Sequence, residues 1–189
     1  MTTRDRIVQS VQELLWERGY VAMGHNAIQE RSGTGQGACA TVSRGKEDLA
    51  TEAIARSFTT FREGAEQPLL APGHPLERIQ GYMLRPREPL KGCRIGRLTQ
   101  DSEIMRNEHL SKPIEEGLAW LHSRLRDVIE AAQADGEILK QLDSDELAAM
   151  LVAVIQGGYV LASAQASPEP FHWAIRGALS FLHNQSSIQ

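Results

Sequence analysis

Reactive side chains are scarce in this sequence and poorly spaced for catalysis. Its two cysteines, Cys39 and Cys93, have no C-x-x-C partner and no paired histidines, which argues against zinc or dithiol chemistry and suits a reduced, cytoplasmic protein. The six histidines (His25, His74, His109, His122, His172 and His183) are scattered without metal-ligand spacing. No G-x-S-x-G, glycine-rich phosphate loop or H-E-x-x-H occurs. Glu115 and Glu116 are neighbours on a predicted helix, so they face different directions and form no acid–base pair. These absences point away from an enzyme and imply no metal and no cofactor.

Long apolar runs are missing too. None reaches the ~18–20 residues of a membrane span, and the opening MTTRDRIVQS has no apolar core of the secretory kind, so no membrane partner is expected. Excess positive charge is also absent. The formal net charge is −4, and residues 1–50 balance six basic against six acidic side chains. Phosphate neutralisation dominates DNA affinity, so any DNA-binding surface here must collect its cations on one face. With 189 residues, 41% hydrophobic and 23% charged, the chain can still bury a sizeable core.

What the sequence does contain is helical periodicity from end to end, with no convincing strand, repeat or low-complexity tract. Ile7, Val11, Leu14 and Leu15 form an amphipathic stripe over residues 3–18, capped by Thr2 or Thr3 and closed by Gly19. A second helix spans 24–31 on a poor Gly24 cap, since Met23 has no side-chain acceptor, at a cost of ~0.5–2 kcal/mol. A third runs from Thr34 to about Val42. A fourth starts after Gly45 and is predicted to end near Gln67, at Pro68. Residues 76–84 form a short helix, and the Gly92–Leu98 stretch is predicted to open another. Ser111-Lys112-Pro113 is predicted to start a long helix reaching about Ala134. Asp143 begins a helix to about Ala164 that is apolar almost all round and is therefore expected to be buried on every side. A last helix follows Pro168 and Pro170 to about His183. The total is about nine helices in an all-α fold.

The segment Ala27–Leu49, AIQERSGTGQGACATVSRGKEDL, has the layout of a helix, a glycine-containing turn and a short second helix, as in a helix-turn-helix. Ile28, Gly33, Gly37, Lys46, Glu47 and Leu49 fall in the register of the TetR/AcrR regulators, and Glu17-Arg18-Gly19-Tyr20 matches the family's junction after the first helix. The chain thus resembles that family. Cys39, Ala40 and Ser43 depart from the Leu, Tyr and Phe usual there. If site 43 is buried, Ser for Phe removes packing worth ~3–5 kcal/mol.

The resemblance implies a helix-turn-helix domain over residues 1–48 and a ligand-binding and dimerisation domain over 49–189. It implies a homodimeric repressor that binds a palindromic double-stranded DNA operator and is released by a small apolar or amphipathic effector. DNA contacts are then expected from His25, Asn26, Thr34, Gln36, Gly37, Ala40, Thr41, Ser43 and Lys46. Gln36 can pair with adenine, and Thr41 can meet a base edge or a thymine methyl. Met83, Cys93, Ile95, Leu98, Trp120, Leu125, Met150, Gln156 and Tyr159 are candidate effector contacts, with apolar walls and few polar handles. Small residues on the last two helices permit close approach, giving a four-helix interface with Val152, Gln156, Tyr159, Val160, Phe171, Ile175, Ala178, Leu179 and Leu182. The alternative is a helical ligand-binding dimer whose head reads DNA weakly or no longer.

Overall fold

The computed structural model describes residues 1–35 and 45–185, and their regular structure is entirely helical. The elements are α1 (Thr3–Arg18), α2 (His25–Ser32), α3 (Lys46–Leu69), α4 (Pro75–Leu84), a 3-10 helix (Gly96–Gln100), α5 (Ser102–Arg106), α6 (Glu108–Ala134), α7 (Ser144–Ala164) and α8 (Glu169–Asn184). The all-α fold expected from periodicity is what the chain adopts. The predicted helix from Thr34 to Val42 lies almost wholly outside the described residues. Two compact units emerge, one from residues 1–61 and 94–117, the other from 62–93 and 118–189.

In the first unit, α1 begins with a reciprocal cap. The Thr2 hydroxyl accepts from the Asp5 amide (3.1 Å), and the Asp5 carboxylate accepts from the Thr2 amide (2.9 Å). Its apolar stripe, Ile7, Val11, Leu14 and Leu15, is buried as the spacing requires. Gly19 ends the helix at φ +78°, a conformation that few side chains adopt. Gly24 caps α2 without any side-chain hydrogen bond, as the missing acceptor at Met23 implies; Met23 itself is fully buried.

Three boundaries differ from expectation. Helix α3 does not stop before Pro68 but carries it in its final turn, reaching Leu69. A proline there forgoes one hydrogen bond near an end where the ladder is closing anyway, and Leu69 is fully buried. Helix α6 starts at Glu108, three residues ahead of Ser111, because Asn107 accepts from the His109 amide (3.0 Å) and supplies the cap. Pro113 then lies inside it. The Gly92–Leu98 stretch gives turns and a 3-10 helix rather than an α-helix, and Asp101 caps α5 through the Glu103 and Ile104 amides.

Helix α7 is apolar around its circumference, yet within the chain only one face is covered. Leu147, Ala148, Leu151, Ile155, Gly158 and Ala162 are buried, whereas Val160 and Leu161 are about half exposed, at 55% and 48%. A single chain of this size has little room for all-round burial, and among the described elements it is α8 that packs closely along α7. A Cβ at Gly158 would stand 2.9 Å from Phe171 Cδ2 and 3.4 Å from the Phe171 Cα, so glycine sets the closeness of this pair. Among the described residues α7 is also the one helix long and apolar enough to cross a membrane by length and composition.

Gly117 of α6 marks a second close approach, since a Cβ there would overlap the ring of Phe58 on α3. Alanine normally gains up to about 1 kcal/mol over glycine inside a helix, whereas overpacking costs typically ~1–3 kcal/mol. Gly117→Ala is therefore expected to lower stability by about 1–2 kcal/mol in urea unfolding, partly restored by adding Phe58→Leu. Gly81→Ala on α4, whose Cβ would meet Pro68 at an ordinary 3.5 Å, should instead stabilise by roughly 0.5–1 kcal/mol.

Candidate functional sites

The first unit holds the helix-turn-helix candidate. Arg31 on α2 pairs with Glu17 on α1 at 2.6 Å, and Gln12 of α1 donates to Ser57 of α3 at 3.0 Å. A second set of charges ties α1 to α3. Arg4 meets Glu52 (2.5 Å), Arg56 meets the same carboxylate (2.8 Å), and Arg56 also reaches Asp5 (3.1 Å). The Tyr20 amide donates to Asp101 at 2.6 Å, fixing the turn after α1. Arg94 lies 3.9 Å from the Trp16 ring centroid and pairs with Glu13 at 2.8 Å.

Of the nine residues expected at DNA, four are described. His25 and Asn26 stand exposed in the first turn of α2, with the His25 ring 3.0 Å from the Gln29 amide. Thr34 is half-buried, its hydroxyl 2.7 Å from that of Ser32. Lys46 is exposed at the start of α3; its ammonium donates to the Val21 carbonyl (3.3 Å) and sits 4.3 Å over the Tyr20 ring. That contact accounts for a cation at a helix start, where the dipole alone disfavours it. Gln36, Gly37, Ala40, Thr41 and Ser43 lie outside the described residues, as does Cys39.

The effector candidates fall in both units. Ile95 and Leu98 belong to the first unit and are buried there as core. Leu125 is fully buried and Cys93 nearly so, both as packing residues of the second unit. Trp120 is half-buried beneath Arg62, whose guanidinium lies 5.0 Å from the ring centroid. Met150 and Gln156 are half-buried on α7.

Met83 lines a cavity of about 260 Å³ where the end of α4 meets the start of α8. Leu84, Pro86, Phe171 and Ile175 supply further apolar wall, and Arg85, Arg87, His172 and Arg176 supply charge. The Arg87 guanidinium donates to the carbonyls of Tyr82 (2.8 Å), Met83 (2.7 Å) and Arg85 (3.2 Å) and lies 5.1 and 5.9 Å from the Tyr82 and Phe171 ring centroids. Burial pushes its pKa below the usual guanidinium value, and burial raises those of Tyr82 and Tyr159, which stay neutral phenols. The sequence held one unused signal for this place: two arginines flank a proline immediately after a helix. Read as a helix terminator, Arg85-Pro86-Arg87 concealed its charge.

The residues expected at the dimer interface differ in how far the single chain already buries them. Phe171, Ile175, Ala178, Leu179 and Leu182 are 0–7% exposed, because the i, i+4, i+7 stripe of α8 packs inward on its own chain. Tyr159 stacks on Phe171 with centroids 4.7 Å apart and is likewise used internally. The free apolar side chains are Val160 and Leu161 on α7 with Trp173 (58% exposed) and Phe181 (40%) on α8. Val152 and Gln156 are half-buried.

Residues 76–178 match the family described as tetracyclin repressor-like, C-terminal domain. The chain belongs to the TetR/AcrR family of regulators. Its fold is that of solved family structures at low identity. A regulatory protein TetR from Rhodobacter sphaeroides superposes with a TM-score of 0.83 at 23% identity, over 95% of this chain and 97% of that one. A TetR-family transcriptional regulator from Agrobacterium tumefaciens gives 0.86 at 17% identity, over 98% of each chain. The reduced form of E. coli NemR gives 0.80 at 19%, over 98% of each. No curated relative matches the sequence.

The charge clamp of the head makes a pH prediction. Hydrogen bonds from the Thr2 amide and hydroxyl, then Arg56, hold the Asp5 carboxyl down at about 2. A folded-state pKa below the unfolded value of ~3.9 gives stability that is present above that value and is lost as pH falls towards 2. Asp5→Asn should therefore melt below the wild type at pH 6, with the difference closing between pH 4 and pH 2 when followed by circular dichroism.

Proposed function

We propose that this TetR-family chain is a homodimeric transcriptional repressor that binds a palindromic operator and is released by a small amphipathic effector. The observation that carries the reading is the free apolar face of the last two helices. Val160, Leu161, Trp173 and Phe181 are side chains a monomer has no reason to leave in water. Gly157 and Gly177 support it. Each lies inside a helix with nothing within 4 Å of where a Cβ would stand, although alanine would favour the helix by up to about 1 kcal/mol. A second copy crossing closely at those points makes the missing side chains useful. Two-fold pairing through α7 and α8 forms a four-helix seam of the obligate, core-like kind.

In this reading the functional boundary falls at 48/49, with residues 1–48 reading DNA and 49–189 sensing and pairing. The two heads present Gln36 and Thr41 to successive major grooves ~34–36 Å apart. His25, Asn26 and Lys46 meet phosphates and set register. One of the three ammonium donors of Lys46 goes to Val21, which leaves two for the DNA backbone. An effector releases DNA only through a higher affinity for the conformation that binds DNA poorly, and α3 is the element that runs from the head into the body.

A second reading is a ligand-binding dimer with weakened DNA recognition. Ala40 and Ser43 favour it, standing where the family usually carries Tyr and Phe. Fluorescence polarisation on the chain's own upstream DNA with a salt titration separates the two. Specific binding should weaken steeply with salt, and Lys46→Gln should flatten the log–log slope by about 1. Binding that is absent, or indifferent to salt, would favour the second reading. Val160→Glu combined with Trp173→Glu should leave helicity unchanged, convert the dimer to monomer in sedimentation velocity, and cut operator affinity at least about tenfold. A dimer that survives both substitutions would refute the α7–α8 seam.

A further inference from the structure

We infer that the cavity between the end of α4 and the start of α8 binds a small organic anion, a carboxylate carried on a short apolar body. This deepens the effector reading by naming its ligand class. Arg4, Arg31, Arg56, Arg94, Arg106, Arg124 and Arg126 each meet a carboxylate within 4 Å. Arg85, Arg87 and Arg176, all on the cavity, meet none among the described residues. Arg6 and Arg18 also lack a carboxylate, but they stand exposed where water screens their charge, and most of the other described arginines are paired. The acids nearest in sequence are engaged elsewhere, Glu88 by Lys91 and Glu169 by the Ser167 hydroxyl.

Arg87 is largely buried, and three of its five N–H donors end on carbonyls at the close of α4. Those carbonyls fix its position and satisfy part of its hydrogen bonding, but they leave its full charge without a counter-ion. The Arg85 Nε is buried with no acceptor at all. Charge desolvated in this way is costly, and an entering carboxylate offsets that cost where a neutral ligand does not. Arg176 and His172 stand exposed on α8, where they can close over an anion. The apolar side is equally definite. Met83, Phe171 and Ile175 are buried wall, and about 260 Å³ lies below the ~300–1,000 Å³ of drug-sized sites. The fit is therefore to a short-chain acid, and not to a bare inorganic anion or a long lipid.

Isothermal titration of the full-length protein with octanoate, 1-octanol and inorganic phosphate tests this without DNA. A head that cannot read an operator leaves the calorimetric result untouched and shows only in polarisation. Octanoate should bind saturably, one per chain, and at least about tenfold tighter than either 1-octanol or phosphate. Arg85→Gln and Arg176→Gln should each weaken octanoate by about fivefold or more and leave 1-octanol unchanged, while Arg126→Gln, on a residue paired elsewhere, should do neither. Arg176 is exposed and without partners, so its variant keeps the fold. Equal binding of octanoate and 1-octanol, equal binding of octanoate and phosphate, or full octanoate affinity in both cavity variants would each overturn the assignment.

Discussion

The contact between Gly158 and Phe171 decides what the second unit can do. Without a Cβ at 158, the ring and backbone of Phe171 lie against α7, and α8 follows that helix along its length. Three consequences come from this one approach. The apolar stripe of α8 is spent inward, Phe171 is placed against both Tyr159 and Arg87, and the opposite faces of the two helices are left uncovered. Phe171 is thus at once core, cavity wall and ring beneath a cation. A larger residue at 158 would separate the helices and disturb all three roles together.

The same contact explains which parts of the chain could be read in advance. Capping is local chemistry, so Thr2, Gly19 and Asp143 announced their helix ends correctly. Prolines misled because a ring excludes one hydrogen bond, not a helix; Pro68 sits where the ladder was closing, and Pro113 sits beyond a cap that Asn107 had already made. The residues expected at the dimer interface divide between buried and exposed faces for a different reason. Periodicity identifies an apolar stripe but not the surface it faces, and on α8 the regular stripe belongs to the chain's own core. The exposed positions Trp173 and Phe181 lie eight residues apart with Gly177 between them, so the small residue thins the apolar signal of that face. The cavity was hidden for a third reason, since Arg85 and Arg87 follow a helix end around a proline while His172 and Arg176 lie on a helix distant in sequence.

Electrostatics divides the molecule along a related line. In the first unit, Arg4, Arg31 and Arg56 are each matched by a carboxylate of that unit, which holds α1 to α2 and α3. In the second, Arg85, Arg87 and Arg176 are left unmatched around a concave site. Exposed ion pairs are worth little individually, ~0–1 kcal/mol, so the head gains orientation from its pairs more than stability. A largely buried guanidinium without a carboxylate is a larger matter, because neutral carbonyls and rings replace only part of its lost hydration.

This division constrains how the head can hold DNA at all. Its balanced charge leaves few cations free, and a phosphate approaching Arg4, Arg31 or Arg56 must compete with a carboxylate already in place. Arg6 and Arg18 are exposed with no carboxylate partner among the described residues, and Lys46 keeps most of its donors. Each phosphate that such a cation neutralises would contribute roughly 0.9 to the salt slope, so the affinity of one subunit scales with the few it can reach. In the proposed homodimer, two heads would double that number and make the second contact effectively intramolecular. On the proposed reading such a head works best in pairs, and the uncovered faces of α7 and α8 would then matter to DNA recognition as much as any residue touching the duplex.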